Sequence, residues 1–182
     1  MSNSSPTGKG SNPHRAVFLA YGNFASLPLK ERILALQKSL IDDPDFFGFD
    51  TYALKHCQPT LLDAKENFTK WSLVIGSELC NKGGNLHGGA AATLLDYLTS
   101  TPLLTIAKEG FLDGGHVSRT ITMSYLRPVP LGEKVTVECE VHQAGRNTAN
   151  ILGKIYNEAG KLCVTCVHDK AVFSSKGRDA KL

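Results

Sequence analysis

A helix that is apolar on nearly every side must be wrapped by the rest of its chain, and residues 90–98 read as the start of one. Ala90-Ala91-Ala92-Thr93-Leu94-Leu95 is rich in helix formers. The apolar run continues to about Lys108, interrupted by Asp96, Thr99 and Ser100, and Pro102 should bend or end it. Directly before it stands Asn81-Lys82-Gly83-Gly84-Asn85-Leu86-His87-Gly88-Gly89. At such a junction the first backbone N–H groups have no partner inside the helix. They carry partial positive charge and can hold an anion or a developing oxyanion. Gly88 and Gly89 have no side chains, so a substrate carbonyl can come close to that backbone.

The rest of the chain is large enough to do the wrapping. At 182 residues with 42% apolar content, one domain with a real core is expected. The net charge is +3, with 20 Lys and Arg scattered among 17 acids. No basic stripe interleaved with aromatics is present, which argues against nucleic acid as the main partner. Five cysteines, Cys57, Cys80, Cys139, Cys163 and Cys166, make an odd count without a signal peptide, and reduced intracellular thiols follow. Cys163 and Cys166 match C-x-x-C within a strand-like run with no second pair at metal-ligand spacing, so no metal site is expected. No apolar run reaches the roughly 18 residues that span a bilayer. The first 41 residues carry one acid, Glu31, and five basic residues, a weak echo of a mitochondrial presequence. The expected compartment is cytoplasmic or mitochondrial.

Taken in order, residues 1–27 read as a flexible tail and 28–50 as a helical extension. In the latter, Ile33, Leu34, Leu36, Leu40 and Ile41 form an amphipathic helix between Pro28 and Asp42-Asp43-Pro44. Phe46-Phe47-Gly48-Phe49 forms an aromatic cluster that packs the core or lines a tunnel. The main domain is expected over 51–174, opening with two strands from Thr51 to Leu79 around a turn at Asn67. After the glycine-rich loop and helix, four strands follow as an antiparallel meander, the cleanest alternating Val135, Val137, Cys139 and Val141 with polar residues. Residues 175–182 form a second flexible tail. The fold class is α+β: a curled antiparallel sheet around one long central helix, plus the N-terminal amphipathic helix.

Loop, helix and strands together resemble the hotdog-fold acyl-CoA thioesterases of the 4-hydroxybenzoyl-CoA thioesterase superfamily, in the phenylacetate-pathway and acyl-CoA thioesterase 13 branch. The resemblance runs from roughly Leu54 to Phe173. It rests on residues 81–89, on Asp96 nine residues after His87, on Val117-Ser118, on Tyr125-Leu126-Arg127-Pro128 and on Leu131-Gly132-Glu133. It leaves the N-terminal helix without a role.

Nine residues of helix turn through about 900° and rise about 13 Å, so His87 and Asp96 point to opposite sides. They cannot serve one substrate atom within a protomer. A second copy resolves this, the helix start of one chain facing Asp96 of the other across a two-fold axis. The resemblance likewise implies homodimers, alone or paired into tetramers.

It also implies roles. Asp96 is a general base or a direct nucleophile on the thioester carbon, its alternative being a hydrogen-bonded interface carboxylate. Ser118 holds the water beside it. The Gly88 N–H stabilises the oxyanion. Asn81 donates to the carbonyl, positions water or caps a turn. His87 polarises the thioester, orients the loop or serves only the helix start. For the CoA part, the resemblance points to Tyr125, Arg127 and Pro128 and to the turn Gly145-Arg146-Asn147-Thr148, the guanidiniums suiting phosphate. Coenzyme A belongs to the substrate, so no separate cofactor is expected.

The expected function is hydrolysis of an acyl-CoA to CoA and a free carboxylic acid, within fatty acid metabolism. The alternatives are a hotdog dehydratase or hydratase on 3-hydroxyacyl thioesters, and a non-catalytic acyl-CoA-binding module.

Overall fold

The computed structural model describes residues 26–42, 44 and 48–174. Both expected tails, apart from residues 26 and 27, lie outside the described residues, as do Phe46 and Phe47. Two helices lead: α1 (Leu29–Ile41) and α2 (Phe49–Cys57). The pair β1 (Thr60–Lys65) and β2 (Phe68–Val74) follows, with Asn67 at its turn in the left-handed region (φ 63°). A single 3-10 turn, Ser77–Leu79, precedes the glycine-rich loop. Then come α3 (Gly88–Leu98), the short α4 (Leu103–Ile106), β3 (His116–Tyr125), β4 (Lys134–Ala144), β5 (Thr148–Tyr156) and β6 (Leu162–Val172).

All six strands form one antiparallel sheet in the order β1-β2-β4-β5-β6-β3. This corrects the expected four-strand meander. Of the four expected meander strands only β4, β5 and β6 are consecutive neighbours; β3 crosses to pair with β6 and becomes an edge, while β2 pairs with β4. Residues 51–57 are also corrected, from strand to helix. Thr51, Leu54 and Cys57 recur at a three-residue spacing and are all buried in α2. Phe49 is 69% exposed, so it does not pack the core.

Helix α3 stops at Leu98, short of the expected Lys108, and Pro102 begins the four-residue α4. Ala91, Leu94, Leu95 and Leu98 face the sheet. The approach is close enough that a Cβ added to Gly153 on β5 would lie 2.8 Å from Thr99 Cγ2 and 3.0 Å from Leu95 Cδ2. Two buried threonines fasten the helix end. Thr101 Oγ1 lies 2.9 Å from Thr69 Oγ1 and accepts from Trp71 Nε1 at 3.3 Å, while Thr99 Oγ1 lies 2.7 Å from His168 Nδ1. Trp71, Leu73 and Ile75 are buried while Val74 is 57% exposed, as strand alternation requires.

Helix α1 is tied to the body by the buried Arg32, whose Nη1 donates to Leu104 O at 2.8 Å and Ala107 O at 3.2 Å. These are carbonyls at the end of α4, where a cation meets the negative end of the helix. All five cysteines are free. No helix among the described residues is long and apolar enough to cross a membrane.

Candidate active site

The glycine-rich loop is held on both sides. His87 N donates to Leu79 O at 2.7 Å and Leu86 N to Val129 O at 2.8 Å, while Leu131 N donates to Gly84 O at 2.9 Å. Gly84 has φ +72°, a conformation other residues rarely adopt. The segment carrying Arg127 and Pro128 therefore packs against the loop, although some forty residues separate them in the chain.

Within the loop, Asn81 Oδ1 accepts from Gly83 N at 2.9 Å and from Asn85 N at 3.3 Å, a turn-capping role that leaves its amide N–H groups to point elsewhere. His87 is the N-cap of α3, its Nδ1 accepting from Gly89 N at 3.0 Å. As the first residue of the helix, Gly88 has an N–H with no acceptor inside it. Tyr125 Oη donates to Gly88 O at 2.9 Å. Asn81, Gly88, Tyr125, Arg127 and Pro128 share one open cavity of about 390 Å³.

Asp96 and Ser118 line a different one, of about 250 Å³, with His116 and Lys170 beside them. Leu36 and Leu40 of α1 and Asp50 of α2 supply further wall, so the N-terminal helices form part of this cavity. Ser118 Oγ donates to Asp96 Oδ1 at 2.7 Å. Lys170 Nζ donates to Ser118 Oγ at 3.1 Å and lies 3.5 Å from Asp96 Oδ1. His168 Nε2 stands 3.4 Å from the same oxygen. Asp96 is half exposed, whereas Lys170 and His168 are 2% and 0% exposed.

Burial governs the charge states. It lowers His168 to about 4, Lys170 adding to the effect and Asp96 opposing it. His116 is brought down to about 3 by burial, then Lys170 and His168. Both rings are therefore neutral near pH 7. Burial also lowers Lys170, with Asp96 the chief charge pulling it back up. Desolvation at the cavity wall and the charge of Asp96 raise Asp50, against Lys170.

The residues expected at one site thus fall into two groups that a single chain keeps apart. Arg127 and Arg146 are separated in the same way. Arg127 N bonds to Cys163 O at the start of β6, and Val172 N to Asn147 O at its end, about 30 Å of strand away. Arg127 Nη1 donates to Leu162 O at 2.6 Å, and Gly145 N bonds to Thr148 O at 2.8 Å to close the turn that carries the exposed Arg146.

His168 and Lys170 escaped the sequence reading. Their signal was phase: on β6 they share the inward alternation of Cys166 and Val172, where ionisable groups require partners.

Comparison with known proteins agrees with this architecture. The thioesterase superfamily model matches residues 83–164. Human acyl-coenzyme A thioesterase 13 is 32% identical over 112 residues, covering 61% of this chain and 77% of its own length. A putative esterase of Caenorhabditis elegans is 34% identical over 77 residues, 42% of this chain and 43% of the relative; the chain thus spans less than half of that protein. The crystal structure of zebra fish thioesterase superfamily member 2 superposes with a TM-score of 0.69 at 26% identity, over 81% of this chain and 99% of that one. With its curled six-strand sheet around α3 this is the hotdog fold, and the chain belongs to the thioesterase superfamily.

Proposed function

We propose that the protein hydrolyses acyl-CoA thioesters to CoA and free carboxylic acid at two equivalent sites, each shared by two protomers. Asp96 of one chain serves as general base or nucleophile, and Ser118 positions the attacking water or the carboxylate itself. The Gly88 N–H of the other chain receives the oxyanion, with Asn81 beside it and His87 holding the helix start. The acyl-CoA choice draws on the name of the human relative and on the guanidiniums of Arg127 and Arg146.

The observation that carries the shared site is the separation along β3. Ser118 lies near one end of this edge strand and Tyr125, bonded to Gly88, at the other, roughly 23 Å apart. Antiparallel pairing of two β3 strands about a two-fold axis between Ile121 and Thr122 would set Ser118 opposite the other copy's Tyr125. The same operation brings the Arg127 end of one chain toward the Arg146 end of the next. Neither meeting is available inside one protomer.

Thiol release over a panel of acyl-CoA substrates tests the chemistry. Asp96→Ala should lower kcat by about 10²–10⁴-fold. Sharing is tested by mixing. Gly88→Val and Asp96→Ala should each be nearly inactive alone. After subunit exchange, half the dimers are hybrids with one intact site of two, so about a quarter of wild-type activity should return. No recovery from folded, exchanging dimers would place the whole site within one chain.

A further inference from the structure

A lysine buried to 2% exposure needs a reason, because burying a charge is costly unless it is paired. Lys170 spends its charge on the Asp96–Ser118 pair. We infer that Lys170 is a positioning residue for Asp96: through Ser118 and directly, it fixes carboxylate oxygen Oδ1 and leaves Oδ2 as the reacting oxygen. The inference rests on the reading of Asp96 as base or nucleophile.

Donor and acceptor counting gives the direction of each bond. An ammonium has three donors and no acceptor, so at 3.1 Å Ser118 Oγ must accept from Lys170. The single hydroxyl proton of Ser118 is then free for Asp96 Oδ1 at 2.7 Å, where an ionised carboxylate can only accept. The chain Lys170–Ser118–Asp96 therefore has one polarity, and a residue without a donor at 170 would remove it. Lys170 also stands 3.5 Å from Oδ1 itself, an ion pair rather than a tight hydrogen bond. Oδ1 thus receives Ser118 and Lys170, while the side chain as a whole stays half open to the cavity. The oxygen left for water or the thioester carbon is Oδ2.

Other charges face this pair from every side: Asp50 from α2, His116 from β3, and Cys166 and His168 from β6. His116 and His168 are neutral near pH 7, and burial raises the Cys166 thiol to about 12. Lys170 is therefore the cation that acts on Asp96 in the working range, with Asp50 opposing it.

The test is the pH profile of acyl-CoA hydrolysis by Lys170→Met in the full chain. Its acid limb in kcat/KM should move to higher pH, since a cation beside the reacting carboxylate is lost. At pH 7, kcat should fall about tenfold or more while KM stays within about twofold, the pattern of an interaction made in the transition state. Lys170→Gln keeps a donor for Ser118 but no charge, so it should recover part of kcat with the limb still displaced. An acid limb coincident with wild type in a folded variant overturns the inference. Should neither variant fold, the unsubstituted protein with ¹⁵N-labelled lysine decides. The Lys170 Nζ resonance must shift with the same midpoint as the acid limb, and a flat response overturns the inference. Full activity in Asp96→Ala would instead remove the reading beneath it, whatever Lys170 does.

Discussion

His168 shows how one residue ties site chemistry to stability. Its ring is fully buried, with Nδ1 at 2.7 Å from Thr99 Oγ1. Thr99 Oγ1 also donates to Leu95 O at 2.5 Å, which commits its only proton, so Nδ1 carries the imidazole proton and Nε2 presents a lone pair. A neutral ring is what this arrangement requires. Its folded-state pKa of about 4, with about 3 for His116, lies below the ordinary value near 6.5. As pH falls from 6.5, the unfolded chain takes up protons that the folded one refuses. Stability contributed by these rings is therefore complete above about pH 6.5 and is lost as pH drops toward 4 and then 3, at up to about 1.4 kcal/mol per pH unit for each. Asp50, held above its usual value, works the other way as pH falls through its raised folded-state value. Urea melts between pH 7 and 4.5 should show the decline, and His168→Asn should flatten it. An equally steep decline in that variant would remove the ring as its source.

Among the elements, α3 and β5 approach closely at Gly153. A valine there would drive its side chain into Thr99 and Leu95, with the displaced helix carrying Asp96. Gly153→Val should cost about 1–3 kcal/mol through overpacking, read as a lower melting temperature, with activity falling alongside. A melting temperature equal to wild type would mean that the helix has room to move. The elements were unevenly legible in the sequence. Strand β4 was plain because Val135, Val137, Cys139 and Val141 are buried in alternation. Helix α2 was not: Phe49, Thr51 and Tyr52 favour strands locally, and the helix is held by tertiary contacts such as Thr51 Oγ1 to Leu40 O at 2.9 Å. The order of the strands was hidden for a different reason. Alternation reports which face of a strand is buried and says nothing of its neighbour, so the passage of β3 to the edge left no trace. For the site, the loop and Asp96 stood out as glycines and a charge against an apolar background. His168 and Lys170, fifty and fifty-two residues beyond Ser118 in the chain, come alongside it through the β3–β6 pairing.

At the scale of the whole molecule, the leading helices belong to the body. Ile33 is 1% exposed and joins the main core, Leu36 and Leu40 wall the cavity of Asp96, and Arg32 reaches the carbonyls of Leu104 and Ala107. A version of the chain begun at residue 48 would strip α4 of its terminal cation, bare an oily seam and unroof the Asp96 carboxylate in a single cut. Such a shortened protein should give little soluble material and melt well below the full chain, as thermal denaturation would report. Undiminished yield and melting would mean that the front of the chain merely leans on the rest. What precedes residue 51 is thus one wall of the chamber in which Asp96 sits.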